Sequence, residues 1–110
     1  MTAWRLTPRA EARLLEIAIW TIDTFGPAQA DAYEQDILER CAAIADGRAI
    51  TWDCARLMGT TPPSRLRYAR VGEHMTVFTT IDGVVVFVDF LHSRSDLPRH
   101  IADLERSGSD

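Results

Sequence analysis

The sequence predicts an α+β domain: an N-terminal strand and an antiparallel helical hairpin packed on an antiparallel β-meander, with a short C-terminal helix. Three observations carry this. Residues 8 to 45 hold two stretches of helical apolar periodicity, split at Phe25-Gly26-Pro27. Residues 65 to 91 hold three strand-like runs joined by Gly72-Glu73 and Asp82-Gly83, two-residue loops of the kind that close hairpins. The 110-residue chain, 46% apolar and 25% charged, suits a single domain over residues 1–110.

Trp4 to Leu6 reads as a short strand. Thr7-Pro8 then opens a helix, with Thr7 as N-cap and proline at the first helical position. Ala10, Leu14, Leu15, Ile17, Ala18, Ile22 and Phe25 share one broad arc of that helix and are expected to be buried. Trp20 falls on its polar side. Gly26-Pro27 ends it, and a second helix runs from about Ala28 to Ala45, with Ala30, Tyr33, Ile37, Leu38, Cys41, Ile44 and Ala45 as its stripe. So short a connector forces an antiparallel hairpin. Residues 48 to 64 read as an irregular connector with a turn of helix near Cys54 to Met58. A C-terminal helix is expected from about Leu97 to Glu105, with residues 106 to 110 a frayed tail.

The turns set an expected register: Ile81 opposite Val84, Thr79 opposite Val86, Val77 opposite Val88 and Met75 opposite Phe90. That apolar face is expected to lie under the helical hairpin. The other face, with Arg65, Arg67, Phe78, Phe87 and Asp89, is expected to stay open and to carry function. On such a surface Asp89→Arg would leave folding nearly unchanged.

No apolar run reaches the ~20 residues that span a bilayer, and the N-terminus lacks a signal-peptide core. A cytoplasmic protein without membrane association is expected. Two cysteines are too few for a zinc site or a disulfide framework, and neither metal nor cofactor is expected. A net charge of −4 argues against direct nucleic-acid binding. All twelve basic residues are arginine, so no mechanism that needs lysine operates here.

Several motifs resemble the ParE branch of the RelE/ParE toxin superfamily. Leu6-Thr7-Pro8-Arg9-Ala10-Glu11-Ala12-Arg13-Leu14-Leu15-Glu16-Ile17-Ala18 looks like the opening of ParE toxins, and Phe25-Gly26-Pro27-Ala28-Gln29-Ala30 like their helix–helix junction. Arg65-Leu66-Arg67-Tyr68-Ala69-Arg70-Val71-Gly72-Glu73-His74 and Leu91-His92-Ser93-Arg94-Ser95-Asp96-Leu97-Pro98-Arg99-His100 are similar to their second strand and their ending. The resemblance implies the toxin of a type II toxin–antitoxin pair, neutralised by a ParD-like antitoxin and inhibiting DNA gyrase when free. The alternatives are a ribosome-dependent messenger ribonuclease of the same fold, and an attenuated toxin that keeps only antitoxin binding.

The ribonuclease branch works through Lys, Arg, His or Glu and a C-terminal Tyr or His. Here Tyr33 sits on a helix and Tyr68 on the expected covered face, which leaves His74 and His92 at strand ends. No catalytic residue is assigned. The expected partner-binding residues are Trp20, Arg65, Arg67, Asp89, His92, Arg94 and Arg99. An exposed tryptophan suits a binding hot spot, and the arginines suit an acidic antitoxin segment or the target. Asp89 stands where ParE sequences commonly carry a basic residue.

Overall fold

The computed structural model describes residues 3–107. In chain order the elements are β1 (Trp4–Leu6), α1 (Pro8–Phe25), α2 (Pro27–Ala45), β2 (Trp52–Asp53), α3 (Ala55–Met58), β3 (Arg67–Val71), β4 (His74–Ile81), β5 (Val84–His92) and α4 (Leu97–Arg106). The five strands form one sheet in the order β1-β5-β4-β3-β2. β1 joins β5 in parallel, so the sheet is mixed, with the expected antiparallel meander at its centre. β2, two residues long, pairs with β3 from within the stretch read as irregular connector. Arg106 closes α4, and residues 108–110 of the expected frayed tail lie outside the described residues. No helix among the described residues is long and apolar enough to cross a membrane.

Local chemistry fixes the hairpin. The Thr7 side chain accepts the Ala10 N–H at 3.1 Å, capping α1, while its hydroxyl donates to the Val88 carbonyl. One residue thus ties the helix start to β5. Gly26 serves as C-cap of α1 and N-cap of α2 at φ +94°, a backbone conformation that side chains disfavour.

The sheet is buried on both faces, and this reverses the expected layering. The hairpin covers Ala69, Val71, Phe78, Val85, Phe87 and Phe90 through Ala10, Ile17, Ile37, Cys41 and Ile44. Met75, Val77, Val86 and Val88 lie on the other side, with Ile101 and Leu104 of α4 and Cys54 of the connector. Alternation could not discriminate, because both sets are apolar. The expected pairs hold from Ile81–Val84 to Thr79–Val86; a bulge between Val77 and Phe78 then puts Val77 opposite Asp89, Thr76 opposite Phe90 and His74 opposite His92. The bulge also explains why Phe90 alone of its expected set packs under the hairpin.

The arc expected for α1 is also corrected. Its buried seam is narrow, made of Ala10, Ile17 and Thr21. Leu15 and Ile22 are exposed with Ile19 on the outer side of the helix, and Phe25 is 64% exposed at its end. α1 carries more apolar side chains than one sheet face can cover.

Candidate functional site

A groove of about 510 Å³ runs between the C-terminal half of α1 and the ends of β4 and β5. Ile17, Trp20, Phe25, Phe90 and Leu91 supply its apolar wall. Trp20 is 59% exposed and stacks edge-on against Phe25, with ring centroids 5.8 Å apart. The polar side holds Arg13, Glu16, Tyr33, Glu73 and His74, with His92 and His100. All three histidines of the chain therefore line one groove.

His74 and His92 are held by a defined network. Tyr33, from the inner stripe of α2, reaches over the β3–β4 turn. Its Oη lies 2.7 Å from His74 Nδ1 and 3.0 Å from the Val71 carbonyl, and accepts the Glu73 N–H at 3.2 Å. One phenol proton cannot serve both Nδ1 and the carbonyl. The assignment that satisfies every contact has the phenol donating to Val71 and Nδ1–H donating to the phenol. His74 Nε2 is then a bare acceptor. Burial, then the nearby His92 and Arg13, pull the His74 pKa down to about 4, so the ring is neutral at physiological pH. His92 packs edge-on against it at 5.3 Å, and His92 Nδ1 accepts the Arg94 backbone N–H at 3.0 Å. A neutral His92 consequently carries its proton on Nε2.

Arg13 forms the floor of this polar side. Its Nε donates to Asp89 Oδ1 at 3.0 Å, and its NH1 lies 3.6 Å from Glu16. The same Oδ1 accepts the Phe90 N–H at 2.8 Å. Asp89 is only 2% exposed. The carboxylate beside it raises the Arg13 pKa further.

The expected site residues are thus divided. Trp20 and His92 meet in the groove. Asp89 is not on an open face with Arg65 and Arg67, nor opposite Thr76; the bulge places it opposite Val77, buried against Arg13. Arg65 donates to the Leu104 and Glu105 carbonyls at 2.7 and 3.2 Å, closing the C-terminal end of α4. Arg67 donates to the Thr51 hydroxyl and carbonyl, bracing the connector. Arg94 and Arg99 are exposed beside the groove without lining it. The sequence reading missed Tyr33, Arg13 and His100 as groove residues. Tyr33 had a signal, since its position in the α2 stripe points it at the sheet. Cys41 and Cys54 are buried and their thiols are pushed up to about 12 by burial, which makes both inert core residues.

Fold and groove together define a small α+β module in which a helical hairpin leaves an aromatic-edged, histidine-lined cleft against a meander. The family model of the ParE toxin of type II toxin–antitoxin systems (parDE) matches residues 4–97, and the chain belongs to that family. It is a ParE toxin of a type II toxin–antitoxin system. A solved structure described as the chromosomal ParDE toxin–antitoxin system from P. aeruginosa is similar in fold, with a TM-score of 0.64 and 18% sequence identity. The similarity covers 84% of this chain and 96% of that one. No curated protein matches the chain.

Proposed function

We propose that the free protein inhibits DNA gyrase in the cytoplasm, and that a ParD-like antitoxin neutralises it by laying a segment into the α1 groove. The observation that carries the docking reading is the exposed Trp20–Phe25 pair at the mouth of a cleft with one apolar wall. Contiguous exposed apolar surface of this kind marks interaction sites. A segment crossing α1 would also cover Leu15, Ile19 and Ile22, exposed on the adjoining side of the helix. Gyrase as target rests on family membership and on the chain's lack of lysine. Direct nucleic-acid contact is not proposed for a chain of net charge −4.

A second reading, a ribosome-dependent ribonuclease, draws support from the clustering of Tyr33, His74 and His92. Against it, the Tyr33 phenol proton is engaged with Val71, and His74 is too weakly basic to serve as a general base near neutrality. Asp89 gives no ground for attenuation through the surface field, because it is buried in an ion pair.

A supercoiling assay with purified protein and gyrase separates these readings. Loss of supercoiling activity without cleavage of translated messages is expected. Intact gyrase activity together with codon-periodic RNA ends abolished by His92→Ala would replace the gyrase reading with the ribonuclease.

A further inference from the structure

We infer that the segment this groove takes is both apolar and basic: a helical stretch that seats leucine-type side chains against Ile17, Trp20 and Phe25 and brings an arginine or lysine to Glu16 and the His74 imidazole. The inference rests on the docking reading above and adds the charge of the occupant.

Hydrogen-bonding capacity points this way. The groove's one guanidinium, Arg13, is shared by two carboxylates, Asp89 and Glu16. Glu16 keeps most of its surface in water, with 67% of its side chain exposed. Glu73 stands at the opposite rim, 3.5 Å from Arg70, in a loose and exposed pair. His74 Nε2 adds an acceptor, because Nδ1–H is the proton that Tyr33 Oη accepts. Among the described residues the groove's guanidinium is already held by carboxylates, and its remaining donors are the indole N–H of Trp20, the Gln29 amide and the ring N–H groups of His92 and His100. A guanidinium, with several donors in one plane and an affinity for aromatic faces, complements carboxylate, bare imidazole nitrogen and the Trp20–Phe25 edge together.

The wider field agrees. The hairpin of α1 and α2 carries seven carboxylates (Glu11, Glu16, Asp23, Asp31, Glu34, Asp36, Glu39) against Arg9, Arg13 and Arg40. That excess of four negative charges equals the net charge of the whole chain. The arginines that would have welcomed an acidic segment are engaged elsewhere, Arg65 on the α4 carbonyls and Arg67 on Thr51. Arg94 and Arg99, exposed beside the groove, offset part of that negative charge, and of the seven carboxylates Glu16 alone lines the groove itself. A basic segment approaching α1 meets an attractive potential, and an acidic one a repulsive potential.

Two synthetic helical peptides test this. Both carry leucines at helical positions i, i+3, i+4 and i+7; one has arginines and the other glutamates at the flanking positions. Each is titrated into the full-length chain at about 50 mM and about 300 mM salt, with the Trp20 indole and the His74 ring followed by NMR. The arginine peptide should bind at least about tenfold more tightly at low salt, shift both reporters, and lose most of that preference at high salt. Glu16→Gln combined with Glu73→Gln should reduce the preference, and Trp20→Ala should weaken both peptides. Equal or tighter binding of the glutamate peptide, or no binding of either, overturns the inference. Dimerisation of the free chain that Trp20→Ala abolishes also overturns it, by making a second copy the occupant. The docking reading fails separately, if a ParD-like antitoxin binds Trp20→Ala as tightly as the native chain.

Discussion

Truncating Asp89 should destabilise the protein well beyond the effect of an ordinary surface substitution. Its Oδ1 accepts both the Arg13 Nε–H and the Phe90 N–H, and the side chain is shut off from water. Asp89→Ala leaves a buried backbone donor and a guanidinium without their acceptor. Breaking a buried pair by removing one member costs about 3–5 kcal/mol. Arg13, however, keeps 36% of its side chain exposed and can recover part of its hydration. The expected loss is therefore about 2–3 kcal/mol, or roughly 10 °C in Tm for a domain of this size. Asp89→Arg, which the sequence alone placed harmlessly on an open face, would crowd two guanidiniums at a buried position and should cost more, about 4 kcal/mol or above. Urea unfolding of Asp89→Ala, Arg13→Met and the double variant measures this directly. The cycle should return a coupling of about 1.5 kcal/mol or more, with unchanged m-values. A loss under about 0.5 kcal/mol for Asp89→Ala, or a coupling near zero, would show that the pair holds nothing together.

Three further outcomes follow from the groove and its supports. Because the folded-state pKa of His74 lies near 4, below the ordinary 6.5, its contribution to stability is complete above pH 6.5 and is lost as pH falls from 6.5 toward 4. Unfolding midpoints across that window should show a slope that His74→Gln removes; an equal slope in both would assign the titration elsewhere. Gly72→Ala should destabilise more than Gly83→Ala although both glycines have positive φ, since only at Gly72 would a Cβ meet the Tyr33 ring, at 2.6 Å. Paired melting curves check this, and equal losses would mean that the ring yields freely. Trp20→Ala should weaken antitoxin binding by about 2 kcal/mol, roughly thirtyfold, with stability unchanged. Titration calorimetry on a stability-matched variant measures it, and an unaltered affinity would remove Trp20 from the interface.

The elements were legible because their signals are local. Thr7-Pro8, Phe25-Gly26-Pro27 and the two hairpin turns punctuate the chain, and both long helices and all three central strands fall within two residues of where those signals put them. The faces were not legible. A sheet covered on both sides gives no polar set to mark the outside, so Phe87 and Val86 were equally fit for either layer. The bulge left no composition signal either, yet one extra residue, Val88, buried Asp89 and set His92 against His74. Trp20 was legible as an oddity on a polar helix side. The groove around it depends on Tyr33, Arg13 and the histidines meeting across more than 40 residues of sequence, which no local pattern encodes.

The reading as a toxin held in check through this groove is tested most directly by growth after induced expression. The chain alone should arrest growth, co-expression of the proposed ParD-like antitoxin should restore it, and the same antitoxin should fail to protect cells that express Trp20→Ala at equal level. Normal growth on expression of soluble, folded chain would contradict the toxin activity. Full protection of the Trp20→Ala strain would contradict the groove as the place where that activity is restrained.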